Sequence, residues 1–147
     1  EDQAIAALLH DAVEDQGGIP TLEAIRARFG ERVADIVDGC TDSYGKPKPP
    51  WRERKSHYIE KARTIGMDVR RVSLADKVHN ARTIVASLRQ YGSDTWKWFN
   101  GGKTGTLWYY DELLKVFQHT GGGFLTDELE RWVTLMKQLA DQKDLNE

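Results

Sequence analysis

Apolar residues recur at helical spacing along most of this chain, and no stretch shows the alternation expected of a half-buried strand. The clearest pattern is Leu74, Val78, Ala81, Val85 and Leu88, separated by four, three, four and three residues, which predicts one stripe of a long helix running to about Tyr91. At about 100° per residue, Asp76, Asn80 and Thr83 fall on the opposite side. Val69 and Val72 share that side one and two turns earlier, so the helix reads as covered on both faces around Asp76. At the start of the chain, Ala4 to Leu9 are apolar without interruption. That run predicts a helix buried on every face, continuing through His10 to Asp15 and closed by Gly17-Gly18.

Between these two segments, Pro20 and Thr21 open a short helix with Ile19, Leu22, Ile25 and Phe29 on one face, and Gly30 breaks it. Val33, Ile36 and Val37 support a further helix to about Asp42. Residues 42–50 hold three prolines and a glycine, which excludes regular structure there and predicts a rim or lid loop. A basic helix follows from Trp51 to about Ile65. After Gly92-Ser93-Asp94, a break with Asp94 as N-cap, a short aromatic helix carries Trp96, Trp98 and Phe99. Leu107, Tyr110, Leu114 and Phe117 mark the next helix, ended by glycines 121–123, and Leu125, Leu129, Val133, Met136 and Leu139 mark the last. The expectation is an all-α bundle forming a single domain over residues 1–147.

The chain is long enough for a sizeable core, and its 39% hydrophobic and 30% charged residues describe a globular protein. A net charge of −2 gives no basic excess of the kind nucleic-acid binding uses, so no nucleic-acid partner is expected. The single Cys40 cannot form an internal disulfide and fits a reducing, cytoplasmic setting. No apolar run approaches about 18 residues, so no membrane partner is expected. The aromatic group Trp96, Trp98, Phe99, Trp108, Tyr109 and Tyr110 lies at helical spacing and reads as core rather than as a stacking platform. Gly101-Gly102-Lys103-Thr104-Gly105 contains Gly-Lys-Thr, but position 97 is lysine where a phosphate loop needs glycine, and no strand precedes it.

Candidate chemistry concentrates where acids meet apolar helix. His10, Asp11, Glu14 and Asp15 follow the apolar run directly. Burying their charge costs several kcal/mol unless a cation or donors compensate it. A metal ion is one compensation, since imidazole and carboxylate together suit Mn, Fe, Zn or Mg. A helix end whose acids reach water, with His10 hydrogen-bonded in the core, accounts for the octet equally well. Asp76, on a second helix covered on both faces, favours a shared site.

The segments Leu8-Leu9-His10-Asp11-Ala12-Val13-Glu14-Asp15 and Leu74-Ala75-Asp76-Lys77-Val78-His79-Asn80-Ala81-Arg82-Thr83 together resemble the HD-domain metal-dependent phosphohydrolases. Within them the chain is most similar to the RelA/SpoT hydrolase domains and their small stand-alone, metazoan-SpoT-like relatives, which remove pyrophosphate from guanosine tetraphosphate (ppGpp). The acidic pair after His-Asp and the Asn four residues after the later Asp mark that branch, and Trp51-Arg52-Glu53-Arg54-Lys55 looks like its basic stretch. The likeness covers residues 1 to about 90 well and the rest loosely. It implies an HD-domain helical bundle in which His10, Asp11 and Asp76 ligate a divalent metal, Mn²⁺ being the family's usual choice. It further implies Glu14 and Asp15 as the groups that position and deprotonate water, Asn80 and Thr83 on the nucleoside side, and Arg54 and Lys55 against the outgoing pyrophosphate. The implied substrate is a small phosphorylated nucleotide. Two alternatives remain at this point: an HD phosphatase acting on a nucleoside monophosphate or a nicotinamide dinucleotide phosphate, and a non-catalytic nucleotide-binding module. The family also carries a metal-binding histidine on a helix upstream of His-Asp, which no position here matches. The expectation is therefore a chain lacking its N-terminal helices.

Overall fold

The computed structural model describes residues 1–44 and 47–143. Gly45 and Lys46, in the middle of the expected proline-rich loop, lie outside the described residues. The architecture is all-α, with helices α1 (Asp2–Leu9), α2 (Ala12–Gln16), α3 (Ile19–Phe29), α4 (Glu31–Cys40), α5 (Trp51–Ala62), α6 (Met67–Tyr91), α7 (Gly102–His119) and α8 (Phe124–Lys143). A 3₁₀ helix, Gly92–Trp98, stands where a short aromatic helix is expected. No strand occurs among the described residues. The chain folds into two compact units, Glu1–Ser73 and Leu74–Glu147.

In the first unit the core is built from Ala6, Val13, Leu22, Ile25, Val33, Ala34, Ile36, Val37, Cys40 and Val72. The apolar spacing of α4 buries Val33, Ile36 and Val37 as expected, and this helix packs against both α1 and α3. The start of the chain departs from expectation in two ways. The helix is not continuous: it breaks at His10 and Asp11, between α1 and α2. Nor is it buried all round, because Leu8 is 87% exposed and Ala4 and Ala7 are exposed, while only Ala6 is fully enclosed. An apolar run fixes that a helix can be buried, but what packs on each face is a tertiary matter, and here α4 covers one side. For the same reason Ile19 and Phe29, at the ends of α3, reach solvent while Leu22 and Ile25 do not.

Two glycines set close approaches in this unit. Gly18 precedes α3 at φ +66°, and a Cβ there would lie 2.6 Å from the carbonyl oxygen of Tyr44. Gly39 lets α4 meet α6, since a Cβ there would stand 3.1 Å from Val69 Cβ and nearer still to both of its methyl groups. Tyr58, buried on α5, shares a 2.5 Å hydrogen bond with the buried Ser73 hydroxyl.

In the second unit Leu74, Ala81, Val85 and Leu88 are buried, as the stripe predicts, together with Ile84. Helices α7 and α8 pack together. Leu113, Val116 and Phe117 of α7 and Leu129, Val133, Met136 and Ala140 of α8 are all enclosed. Trp96, Tyr109 and Tyr110 are core residues, whereas Trp98 is 58% exposed and stacks edge-on with Tyr91. Asp94 lies inside the 3₁₀ helix, whose N-cap is Tyr91, and pairs with Lys97 at 2.7 Å. Lys103, from the Gly-Lys-Thr stretch, donates to the Ala140 carbonyl at 3.1 Å and closes the end of the α7–α8 pair.

The Gly39 contact yields a test. Gly39→Ala forces a methyl group into the branched side chain of Val69, and overpacking of this kind costs about 1–3 kcal/mol. Urea denaturation should show that loss, and adding Val69→Ala should recover part of it by removing the two methyl groups in the way.

Candidate active site

His10 and Asp11 occupy the break between α1 and α2, so both side chains leave the chain at one corner. His10 Nδ1 lies 2.7 Å from the Ala7 carbonyl oxygen. A carbonyl only accepts, so Nδ1 carries the proton, and in the neutral ring Nε2 carries the lone pair. Nε2 in turn lies 3.2 Å from Asp11 Oδ2. Two lone-pair atoms at that distance repel unless a proton or a cation sits against both. The spacing also matches two neighbouring ligands of an ion bound at roughly 2.0–2.2 Å. A histidine whose second nitrogen donates to a backbone carbonyl is the arrangement that prepares a metal ligand. These two residues therefore fit a divalent ion. Among the described residues, no group of three or more His, Cys, Asp and Glu side chains that could hold a metal ion is formed.

Glu14 lies one turn on, in α2, with its side chain 17% exposed. Its Oε1 accepts the backbone N–H of Asp42 at 2.7 Å. Burial pushes the Glu14 carboxyl up, and the adjacent Asp42 carboxylate adds to this, outweighing the Asp42 N–H and Lys55, which act downward. Asp15, by contrast, is exposed.

Asp42 was not legible as a functional residue, since it opens a stretch whose composition only signals a loop. In the structure its side chain is 5% exposed and its Oδ2 accepts from both Arg54 Nη1 and Lys55 Nζ at 2.8 Å. Burial by itself raises the Asp42 carboxyl, but Lys55 and Arg54 overcome this and hold it at about 2. Its position is set by the end of α4, where Thr41 Oγ1 donates to the Val37 carbonyl at 2.8 Å and Lys61 Nζ donates to the Asp38 and Thr41 carbonyls. Lysine at the carbonyl end of a helix satisfies acceptors that have no intrahelical partner. The expected Arg54 and Lys55 are thus brought together, with each other and, through Asp42, with Glu14.

The remaining expected residues belong to the second unit. Asp76 Oδ1 accepts from Asn80 Nδ2 at 2.9 Å, one turn along α6, and Oδ2 pairs with Lys77 Nζ at 2.7 Å. Both charged side chains are 14% exposed. Burial pushes the nearby Tyr110 phenol up to about 12, with Lys77 lowering it and Asp76 raising it, so the ring stays neutral. Thr83 is exposed, and its hydroxyl donates to the His79 carbonyl at 3.0 Å.

Comparison with known proteins bears on these motifs. The HD domain family model matches residues 1–106, which hold every candidate site residue. The chain is 42% identical over 79 residues to a zebrafish (Danio rerio) protein named guanosine-3′,5′-bis(diphosphate) 3′-pyrophosphohydrolase MESH1, over 54% of this chain and 41% of that protein. A Haemophilus influenzae protein named guanosine-3′,5′-bis(diphosphate) 3′-pyrophosphohydrolase is 36% identical over 94 residues, covering 60% of this chain and 13% of its own length. The crystal structure of lmo0812 from Listeria monocytogenes EGD-e superposes with a TM-score of 0.76 at 31% identity, over 95% of this chain and 88% of that one. The matched region is thus less than half the length of these two curated relatives. On the match to residues 1–106, this chain belongs to the HD domain family.

Proposed function

We propose that this chain is a divalent-metal-dependent phosphohydrolase that removes the 3′-pyrophosphate of guanosine tetraphosphate or pentaphosphate, or of a related nucleotide. The observation that carries the reading is the pairing of His10 Nε2 with Asp11 Oδ2, one turn before a shielded Glu14, in a chain that resembles named ppGpp pyrophosphohydrolases. His10, Asp11 and Asp76 would hold the ion, with Mn²⁺ the metal proposed. Such an ion, when bound, polarises a phosphoryl oxygen and eases deprotonation of water.

The chain's own groups supply the rest. Glu14 Oε1 accepts the Asp42 N–H, and Oε2, which lies 4.0 Å from Lys48 Nζ, would take the proton of the attacking water. Asp15, exposed at the same end of α2, would orient that water. A carboxyl raised above its ordinary value is a stronger base at neutral pH than a solvated glutamate. Arg54 and Lys55 would meet the charge on the departing phosphates. Asn80 and Thr83 are proposed on the nucleoside side, Asn80 also holding Asp76 in place. No helix among the described residues is long and apolar enough to cross a membrane. A cytoplasmic location is proposed from the single Cys40, which cannot form an internal disulfide, and from the nucleotide substrate.

The direct test is hydrolysis with Mn²⁺, read as pyrophosphate released from ppGpp and as phosphate released from a nucleoside monophosphate and a nicotinamide dinucleotide phosphate. Turnover should be fastest on ppGpp and yield pyrophosphate; release from the other substrates alone would overturn the assignment. His10→Ala and Asp11→Asn should each lower Mn²⁺ affinity by about 10-fold or more, read by equilibrium dialysis.

Glu14→Gln separates chemistry from folding. It retains the acceptor for the Asp42 N–H but removes the base, so kcat should fall by about 10²-fold or more with metal content intact. Stability should move the other way. Because the folded-state pKa of Glu14 is raised, its ionised form disfavours folding, and wild-type stability declines as pH rises from the ordinary value of 4.5 through the raised one. Metal-free Glu14→Gln should therefore be more stable than wild type at pH 7 and equal to it below about pH 4, measured by denaturant titration at both pH values.

A further inference from the structure

Asp42 does more than neutralise two cations. One oxygen, Oδ2, takes both Arg54 Nη1 and Lys55 Nζ at 2.8 Å. The backbone N–H of the same residue holds Glu14 Oε1 at 2.7 Å. Its other oxygen, Oδ1, is sealed from solvent, and the Glu14 carboxyl stands against the Asp42 side chain. Arg54 is fixed from a second direction, its Nε donating to the Pro49 carbonyl at 3.2 Å. These contacts join α2, the end of α4 and the first turn of α5 at one point.

A buried carboxylate used only to neutralise charge needs one partner. This one gathers two cations on a single oxygen, while its backbone N–H holds the Glu14 carboxyl beside them. Arginine has five N–H donors and lysine three, so neither cation is used up by its bond to Asp42. Sharing one oxygen at 2.8 Å, the two cations stand in a fixed relation to each other.

We propose that Asp42 is a positioning residue: it sets Arg54 and Lys55 as one rigid anion-binding pair and fixes that pair relative to Glu14. The inference rests on the phosphohydrolase reading and adds to it the residue that organises the site. The ligand chemistry is a pyrophosphate group, whose several oxygens can engage both cations at once. Diffuse electrostatics and positioning then make opposite forecasts. Removing a negative charge beside two cations should tighten anion binding if only the field matters. It should weaken binding if Asp42 holds the two donors in register.

The test is calorimetric titration of inorganic pyrophosphate into the Mn²⁺-loaded chain, with ppGpp turnover measured on the same samples. Asp42→Asn, which keeps the shape and the backbone N–H, should weaken pyrophosphate binding about tenfold or more, despite the gain in net positive charge. Asp42→Glu, which restores the carboxylate, should recover part of that affinity. In an Arg54→Ala/Lys55→Ala background, Asp42→Asn should cause no further loss, whereas a purely structural role would weaken binding there too. Unchanged or tighter binding by Asp42→Asn overturns the proposal, as does a wild-type chain that binds no pyrophosphate. Should Asp42→Asn not fold, the metal-free wild type supplies the answer by NMR. Side-chain N–H signals of Arg54 and Lys55 protected from solvent exchange, and shifting together on addition of pyrophosphate, support the pairing; free exchange of either one overturns it. Pyrophosphate binding without ppGpp turnover would sink the hydrolase reading while leaving the role of Asp42 intact.

Discussion

A carboxylate cannot be buried without compensation, and in the first unit much of the local geometry answers to that constraint at Asp42. Desolvating one ionised carboxylate costs several kcal/mol, so the residue is tolerable inside only because Arg54 and Lys55 reach it from α5. Meeting that requirement has consequences on three elements. The chain leaving α4 must turn inward, which Thr41 and Lys61 secure by satisfying its last carbonyls. Helix α5 must begin soon after the prolines, with its first turn facing the turn at Asp42. The Asp42 N–H is then presented to Glu14, so a packing requirement becomes a link to the candidate base.

The same unit shows how close approach serves that arrangement. Gly39, one turn before Asp42, lets the end of α4 sit directly against Val69. Gly18 admits the carbonyl of Tyr44 just after the helix that carries Glu14. Both ends of the Glu14–Asp42 contact are thus held by backbone that a side chain would push apart. Native interiors have little free volume to absorb such a shift, which makes the two glycines part of the site's support rather than incidental turns.

Glu14 and Asp42 also divide the work that two neighbouring carboxyls can do. Asp42, facing two cations, stays ionised down to about pH 2. Glu14, shielded and beside that negative charge, is pushed the other way. Environments that drive two acids apart in proton affinity define one as the fixed charge and the other as the group that exchanges protons. In the second unit a parallel arrangement holds at Asp76, where Asn80 and Lys77 each engage one oxygen and Tyr110 remains a neutral phenol.

Sequence alone determined that the protein is helical, because apolar spacing of three and four residues is a local property that α4, α6, α7 and α8 display plainly. It also singled out His10, Asp11, Glu14 and Asp76 as candidates, since two spaced motifs carry the family's residue types. It could not determine burial at the start of the chain: Ala4 to Leu9 looked enclosed, yet Leu8 faces solvent, because what covers a helix face is chosen by distant residues. Nor could it find Asp42, whose neighbours in sequence are a loop and whose partners lie twelve and thirteen residues away. No periodicity connects those positions. Only the tertiary path, which folds the end of α4 under α5 and beside α2, brings one buried carboxylate to two cations and a base.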